Sequence, residues 1–395
     1  MTASRRQFLG YVATAAAAAG AGVVGGRASA DTAAPVQQPV QEPARVQPHS
    51  PHGEHQAGVL APQQPVTHAV ALDLLPETGA PELARLLRAW SGDVEALMTG
   101  EGPLGDPTPE LAEGGNSLTV TVGLGHAAFE LPGLRGRRPA GLSVVPPMRH
   151  DRLEARWSGG DLLLLVAAQE ATSVDHAVRR LVRDAEPFAR LRWRQRGSWR
   201  GTDADGRPVT GRNLFGQVDG TGNPPPGALL DQTVWAQEPD WFVGGTTVVV
   251  RRIRMDLDEW DRLTRDEQDA ALGRRLADGA PVHGRHEREP VDLRRLRPDA
   301  HVAVAHPSAN GFRRIFRKGA NWTDERVTSE GVVTESGLLF LSFQADVARQ
   351  LVPVQQHLDR ADALNRWTTA VGSAEFAVLP GFRPGGWLGE GLFRA

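Results

Sequence analysis

The 395-residue chain has no cysteine, and its single tyrosine is Tyr11. Without cysteine it can form no disulfide, zinc–thiolate site or iron–sulfur cluster. It can hold haem neither through a thiolate nor through the thioether attachment of c-type cytochromes. Any bound metal or haem must therefore rest on histidine or carboxylate. A basic excess is missing too: the formal net charge is −3, with no long charge run. Nucleic acid, which rewards a basic face, is not an expected partner, and no basic amphipathic segment points to a membrane surface. What remains is the composition of a soluble globular protein, 40% hydrophobic and 23% charged. The length suits two ordinary domains, or one large one, with a proper apolar core.

The first residues read as an export signal. Ser4-Arg5-Arg6-Gln7-Phe8-Leu9 is a twin-arginine pattern, an apolar run follows from Tyr11 to Val24, and Ala28-Ser29-Ala30 supplies a small-residue cleavage site. The run is too short and too weakly hydrophobic for a stable membrane anchor. Residues 1–30 are therefore expected to engage the twin-arginine export machinery and to be removed. The remainder would be secreted, periplasmic or held in the cell envelope. Their loss removes Arg5, Arg6 and Arg27 and no acid, so the exported chain is more acidic than the whole. That route carries proteins already folded, often with a cofactor in place. Residues 31–52, rich in Ala, Pro and Gln, have no hydrophobic period and read as a disordered spacer.

From Gly53 the pattern runs strand, helix, strand, strand, helix, strand. The spacing predicts strands at His68–Leu75, Ser117–Leu124, Leu162–Ala168 and Leu191–Trp199, with helices at Pro81–Met98 and Val174–Val182. After a Gly/Pro-rich connection at 201–231 a similar order follows. Trp241–Ile253 reads as a strand and Asp256–Leu276 as a helix with Asp256 as N-cap. Phe312–Phe316 and Leu338–Phe343 read as strands, and Ala345–Leu364 as a helix broken at Pro353. Two βαββαβ passes predict an α+β fold of two tandem ferredoxin-like modules with antiparallel sheets, covering residues 53–205 and 206–395. One continuous α+β domain is the alternative.

Two clusters could carry chemistry. The string Asn213-Leu214-Phe215-Gly216-Gln217-Val218-Asp219-Gly220-Thr221-Gly222-Asn223-Pro224 sets three glycines around one acid. Glycines let a backbone approach a flat ligand, although an Asp-Gly turn is by itself an ordinary structural device. The string is neither a phosphate-binding loop nor a dinucleotide fingerprint. The second cluster is Asp299-Ala300-His301-Val302 through His306-Pro307, followed by Ile315-Phe316-Arg317-Lys318-Gly319. A histidine in an apolar stretch is more often a hydrogen-bonded core residue than a ligand. Arg317 would face the same side as Ile315, and a buried arginine needs an anion.

In combination and in order, these strings resemble the dye-decolorising peroxidase family, in particular its twin-arginine-exported deferrochelatase/peroxidase branch. The family's G-x-x-D-G motif is matched by Gly216–Gly220, its haem-ligand histidine by His301 and its distal arginine by Arg317. Supporting strings include Gly53–Gly58, Thr121–Gly125, Gly244-Gly245 with Val250–Met255, and Gly337–Phe340. The resemblance runs from residue 53 to about 382. His306 stands where a small polar residue is common and is a rival ligand. Lys318 replaces a commonly seen second arginine.

The resemblance implies one non-covalent haem b per chain, mainly in the C-terminal half, with His301 as the proximal iron ligand. Gly220, Thr221, Leu338 and Phe340 would line the haem, and His301 would need an acceptor for its other ring nitrogen. It implies reduction of hydrogen peroxide through a high-valent iron–oxo intermediate, with small-molecule donors such as dyes or phenolics oxidised. Asp219 would move the peroxide proton and Arg317 would stabilise the charge that develops. A carboxylate that must accept a proton works best in mildly acid solution, so an acidic optimum is expected. With no tyrosine left after export, relay of electrons to bulky donors would fall to one of the ten tryptophans, Trp322 being nearest Arg317 in sequence. Removal of iron from haem, and non-catalytic haem carriage, are the competing functions. A homo-oligomer is left open.

Overall fold

The computed structural model describes residues 48–113, 117–205, 207, 209–329 and 331–394. The expected export signal and all but the end of the expected spacer lie outside the described residues. The described residues form one compact unit.

Eight strands close into a barrel: β1 (Val66–Leu74), β2 (Thr119–Leu124), β3 (Leu162–Ala168), β4 (Ala189–Ser198), β5 (Thr246–Met255), β6 (Phe316–Thr328), β7 (Gly331–Gln344) and β8 (Thr368–Val378). Around the barrel the order is β1-β3-β2-β8-β5-β7-β6-β4, and every registered pair is antiparallel. The first four strands are contiguous, as are the last four. The two quartets meet at β2–β8, where Gly123 and Leu124 pair with Val378 and Ala377, and at β4–β6, where Ser198 pairs with Asn321. The mixed α/β class with an antiparallel sheet is as read from the sequence.

Period-two alternation sorts side chains between lumen and outside. Ala69, Leu163, Leu165, Trp193, Val248, Val250, Ala320, Leu339, Leu341 and Phe376 fill the lumen. Outside the first quartet lie α1 (Ala80–Thr99) and α2 (Ala171–Ala185). Helix α1 turns Leu83, Leu86, Leu87, Trp90, Val94 and Leu97 inward at helical spacing, onto Val70, Val120, Val122, Leu164 and Val166. Each such fully buried side chain contributes about 1.5–3 kcal/mol.

The second quartet carries α3 (Ala228–Val234), α4 (Leu257–Asp261), α5 (Arg265–Leu272), α6 (His301–Ala305) and α7 (Val352–Ala361), while α8 (Glu390–Phe393), near the C-terminus, returns to the outer cluster of the first quartet through Leu392. Several boundaries differ here from the sequence reading. The strand expected from Trp241 begins at Thr246, because Gly244 turns at φ 83° and Gly245 lies too close to the Phe242 ring to admit a side chain. Asp256 does cap a helix, accepting from Glu259 N at 3.1 Å. That helix ends at Asp261, and Thr264 starts α5 through a reciprocal capping box with Glu267. The strand expected at Phe312–Phe316 starts only at Phe316. Gly311 and Phe312 both have φ 60°, a left-handed turn that cannot enter a strand directly. Pro353 breaks nothing: a single π-helical turn, Val347–Leu351, runs into α7 with the proline in its first turn.

Candidate active site

A cavity of about 420 Å³ lies on the outer side of the second quartet. β5 and β7 give one wall through Arg251, Ile253, Met255, Leu338 and Phe340; α6 and α7 give the facing wall through His301, Val302, Val354 and Leu358. The loop carrying Asp219, the start of β6 carrying Arg317 and the loop carrying Met148 and Asp151 add to it. Six of the seven residues expected at the site border this cavity: His301, Asp219, Thr221, Arg317, Leu338 and Phe340. Gly220 does not; it turns the chain at φ 125°, and Gly222 is the loop glycine on the wall.

His301 opens α6, and its Nδ1 lies 2.6 Å from Asp362 Oδ2. Asp362 is 6% exposed and its other oxygen accepts from Leu364 N at 2.9 Å. The backbone bond from Ala363 N to Asp299 O, 2.8 Å, holds the two segments side by side. Burial disfavours the imidazolium, but the charge and hydrogen bond of Asp362 outweigh it, so the His301 pKa is raised. With Nδ1 committed, Nε2 is the ring nitrogen left to serve the cavity. Asp362 is the acceptor that sequence alone could not supply. It stands 61 positions from His301 with no local pattern linking them.

His306 also borders the cavity, but its Nδ1 faces the Ser308 hydroxyl at 2.8 Å. Burial, with Arg314 nearby, lowers its pKa. The two histidines therefore differ in kind: one is backed by a buried carboxylate, the other by an exposed hydroxyl.

Asp219 leaves a small hairpin in which Arg212 bridges to Val218 and Asn213 N donates to Gln217 O at 3.1 Å. Gly216, at φ 80°, makes that turn possible. Asn213 Nδ2 donates to Asp219 Oδ2 at 3.4 Å, and Arg317 Nη2 is 3.6 Å from Asp219 Oδ1. Asn223 locks the loop to β6: its Oδ1 accepts from Arg317 N at 3.0 Å and its Nδ2 donates to Arg317 O at 2.8 Å. Thr221 spends its hydroxyl on Glu287 at 2.8 Å, which Thr210 also binds. Trp322 is not near this surface. It is 2% exposed within the lumen, its ring under Arg252 at 3.5 Å.

Profiles of the "Dyp-type peroxidase" N-terminal and C-terminal regions match residues 56–199 and 210–383. The chain belongs to the DyP-type peroxidase family. A dye-decolorizing peroxidase of Thermobifida fusca is 36% identical over an alignment of 425 positions, covering 98% of this chain and 97% of that protein. A deferrochelatase of Escherichia coli O157:H7 is 32% identical, covering 87% and 86%. Among solved structures, the DyP-type peroxidase from Cellulomonas bogoriensis is 42% identical with a TM-score of 0.81, covering 87% of this chain and 97% of that one. Ferric DtpA from Streptomyces lividans is 39% identical with a TM-score of 0.85, covering 89% and 98%. The DyP-type assignment makes the protein a haem peroxidase, and the family implies hydrogen peroxide and an electron donor as its substrates.

Proposed function

We propose that this cavity would take one non-covalent haem b, held through His301 Nε2, with Asp219 and Arg317 serving peroxide. The carrying observation is the 2.6 Å contact between His301 and the buried Asp362. A carboxylate on Nδ1 fixes the tautomer and ring orientation and raises ligand basicity, the usual support for a metal-bound histidine. His306, backed only by Ser308, lacks that support. The remaining lining fits a flat, largely apolar group with acidic substituents: Val302, Leu338, Phe340 and Leu358 are apolar, while Arg313 and Arg314 offer cations.

When bound, the haem supplies the redox chemistry of peroxide reduction. The chain supplies position and proton. Asp219 would take a proton from one peroxide oxygen and return it to the other, which leaves as water. Arg317, 3.6 Å away, stabilises the negative charge that grows as the O–O bond polarises. Asn223 and Asn213 hold the pair in register. A peroxide titration of haem-loaded protein tests this. Asp219→Asn should slow the reaction with peroxide by about a hundredfold or more, and His301→Ala should abolish the haem absorption band that His306→Ala keeps. Unchanged peroxide kinetics in Asp219→Asn would remove Asp219 from the mechanism.

The repeated strand order of the two quartets supports tandem ferredoxin-like modules. The twin-arginine pattern supports export. No helix among the described residues is long and apolar enough to cross a membrane. Dyes and phenolics are the proposed donors. The deferrochelatase relatives support a second reading, iron removal at the same cavity; recovery of intact metal-free porphyrin would favour it. Mere carriage of haem gives no role to the Asp219–Arg317 pair.

A further inference from the structure

The chain has four methionines, Met1, Met98, Met148 and Met255. Met98 is buried in the outer core of the first quartet. Met148 and Met255 both border the cavity that holds His301, Asp219 and Arg317. They are wrapped differently. Met255 is buried in a cluster with Trp260, Leu272 and Leu338. Met148 is only half-buried, on a loop, packed on one side against the cluster of Val145, Val249, Val347 and Leu351. Its backbone is pinned: Met148 N donates to Asp151 Oδ2 at 3.0 Å, and the other oxygen of Asp151 pairs with Arg251. The lining contains no tryptophan, tyrosine or cysteine.

In a peroxidase this is an uneven distribution of oxidisable groups. A thioether is the most readily oxygenated side chain after a thiol, and the one accessible thioether of the cavity is Met148. We propose that Met148 is an oxidation site of the cavity: when hydrogen peroxide outruns the electron donor, Met148 is converted to its sulfoxide. The inference rests on reading this cavity as the peroxidase site. The net step is thioether plus hydrogen peroxide giving sulfoxide plus water. Sulfur supplies the electron pair, an S–O bond forms, the O–O bond breaks, and the second peroxide oxygen leaves as water with both protons. The product turns an apolar, flexible side chain into a polar one. The wall can accept that change, because Arg251, 4% exposed, has Nε and Nη1 buried without a protein acceptor. These are donors of the kind a sulfoxide oxygen accepts from.

Peptide mass mapping of the haem-loaded protein, given peroxide in increments with and without a phenolic donor, tests the proposal. Oxygen should be gained at Met148 severalfold faster than at Met98 or Met255, and the donor should suppress the gain. Haem-free protein at the same peroxide should gain it severalfold more slowly. Equal rates with and without haem would reduce the effect to simple exposure and overturn the proposal. So would a Met148 that stays unmodified while the haem-loaded protein consumes peroxide, an outcome that leaves the peroxidase reading intact. Haem-loaded protein that consumes no peroxide overturns both.

Discussion

Lys318 is the only lysine of the chain, and on β6 it alternates with Phe316, Ala320 and Trp322 toward the lumen while Arg317 faces the cavity. Its Nζ donates to Gly58 O at 2.7 Å, and burial lowers its pKa from 10.5 to about 7. The folded protein therefore holds this proton less tightly than the unfolded chain. Stability falls as pH drops from about 10.5 toward 7 and is flat below. Lys318→Met should remove that loss, raising stability at pH 6 by roughly 3–4 kcal/mol after about 1 kcal/mol for the lost hydrogen bond. Denaturant melts at pH 6 and pH 10 check it; a gain as large at pH 10 would show that the charge is not the cause. Asp362 makes a second single-residue prediction. Asp362→Asn should weaken haem affinity about 10–100-fold, read by haem titration, with the fold unchanged by circular dichroism.

At the scale of elements, α1 and α2 meet through two acids. Asp93 of α1 is raised to about 7 by burial and by a hydrogen bond with Asp184 of α2, with Asp106 adding repulsion and Arg180 opposing it. A carboxyl that binds its proton more tightly when folded stabilises below its unfolded value near 3.8 and loses that contribution as pH rises through 7. Asp93→Asn should thus gain about 1–2 kcal/mol at pH 8, discounted for partial exposure, and almost nothing at pH 4. Thermal melts at the two pH values decide; equal shifts would mean that packing rather than charge is being measured. The elements legible in the sequence were those with an apolar outer or inner face. β1–β3, α1 and α2 lie within a few residues of their predicted bounds because Val, Leu and Ala alternate or recur there, and β4 does so because Leu, Trp and Gln alternate with arginines. Most of β6 was illegible, since its alternation is broken by Lys318 inside and Arg317 outside, and its far half, Thr323–Thr328, is polar. Residue types in the site were legible from glycine-rich strings and their order. The partners that fix them, Asp362 on His301 and Asn223 on Arg317, were not, because each contact joins segments 61 and 94 positions apart.

For the whole molecule, the two quartets touch through thin backbone seams but share one lumen. Leu163, Leu165 and Trp193 from the first interleave with Leu339, Leu341 and Phe376 from the second in a single apolar cluster. Neither quartet can keep that face out of water alone, so neither has a core of its own on the lumen side. Losing one half would expose apolar surface of the other at about 25 cal/mol per Å². A chain of this length commonly unfolds in steps, yet a shared lumen argues for one transition. Leu165→Ala, in the first quartet and lined up within that lumen, should cost about 2–5 kcal/mol. It should lower the melting of both quartets together, although most of the cavity with His301 lies on the second. Calorimetry, paired with the haem absorption band as a reporter of the second quartet, separates the alternatives. A band that persists to its original temperature while the first quartet melts early would show the two quartets to be independent.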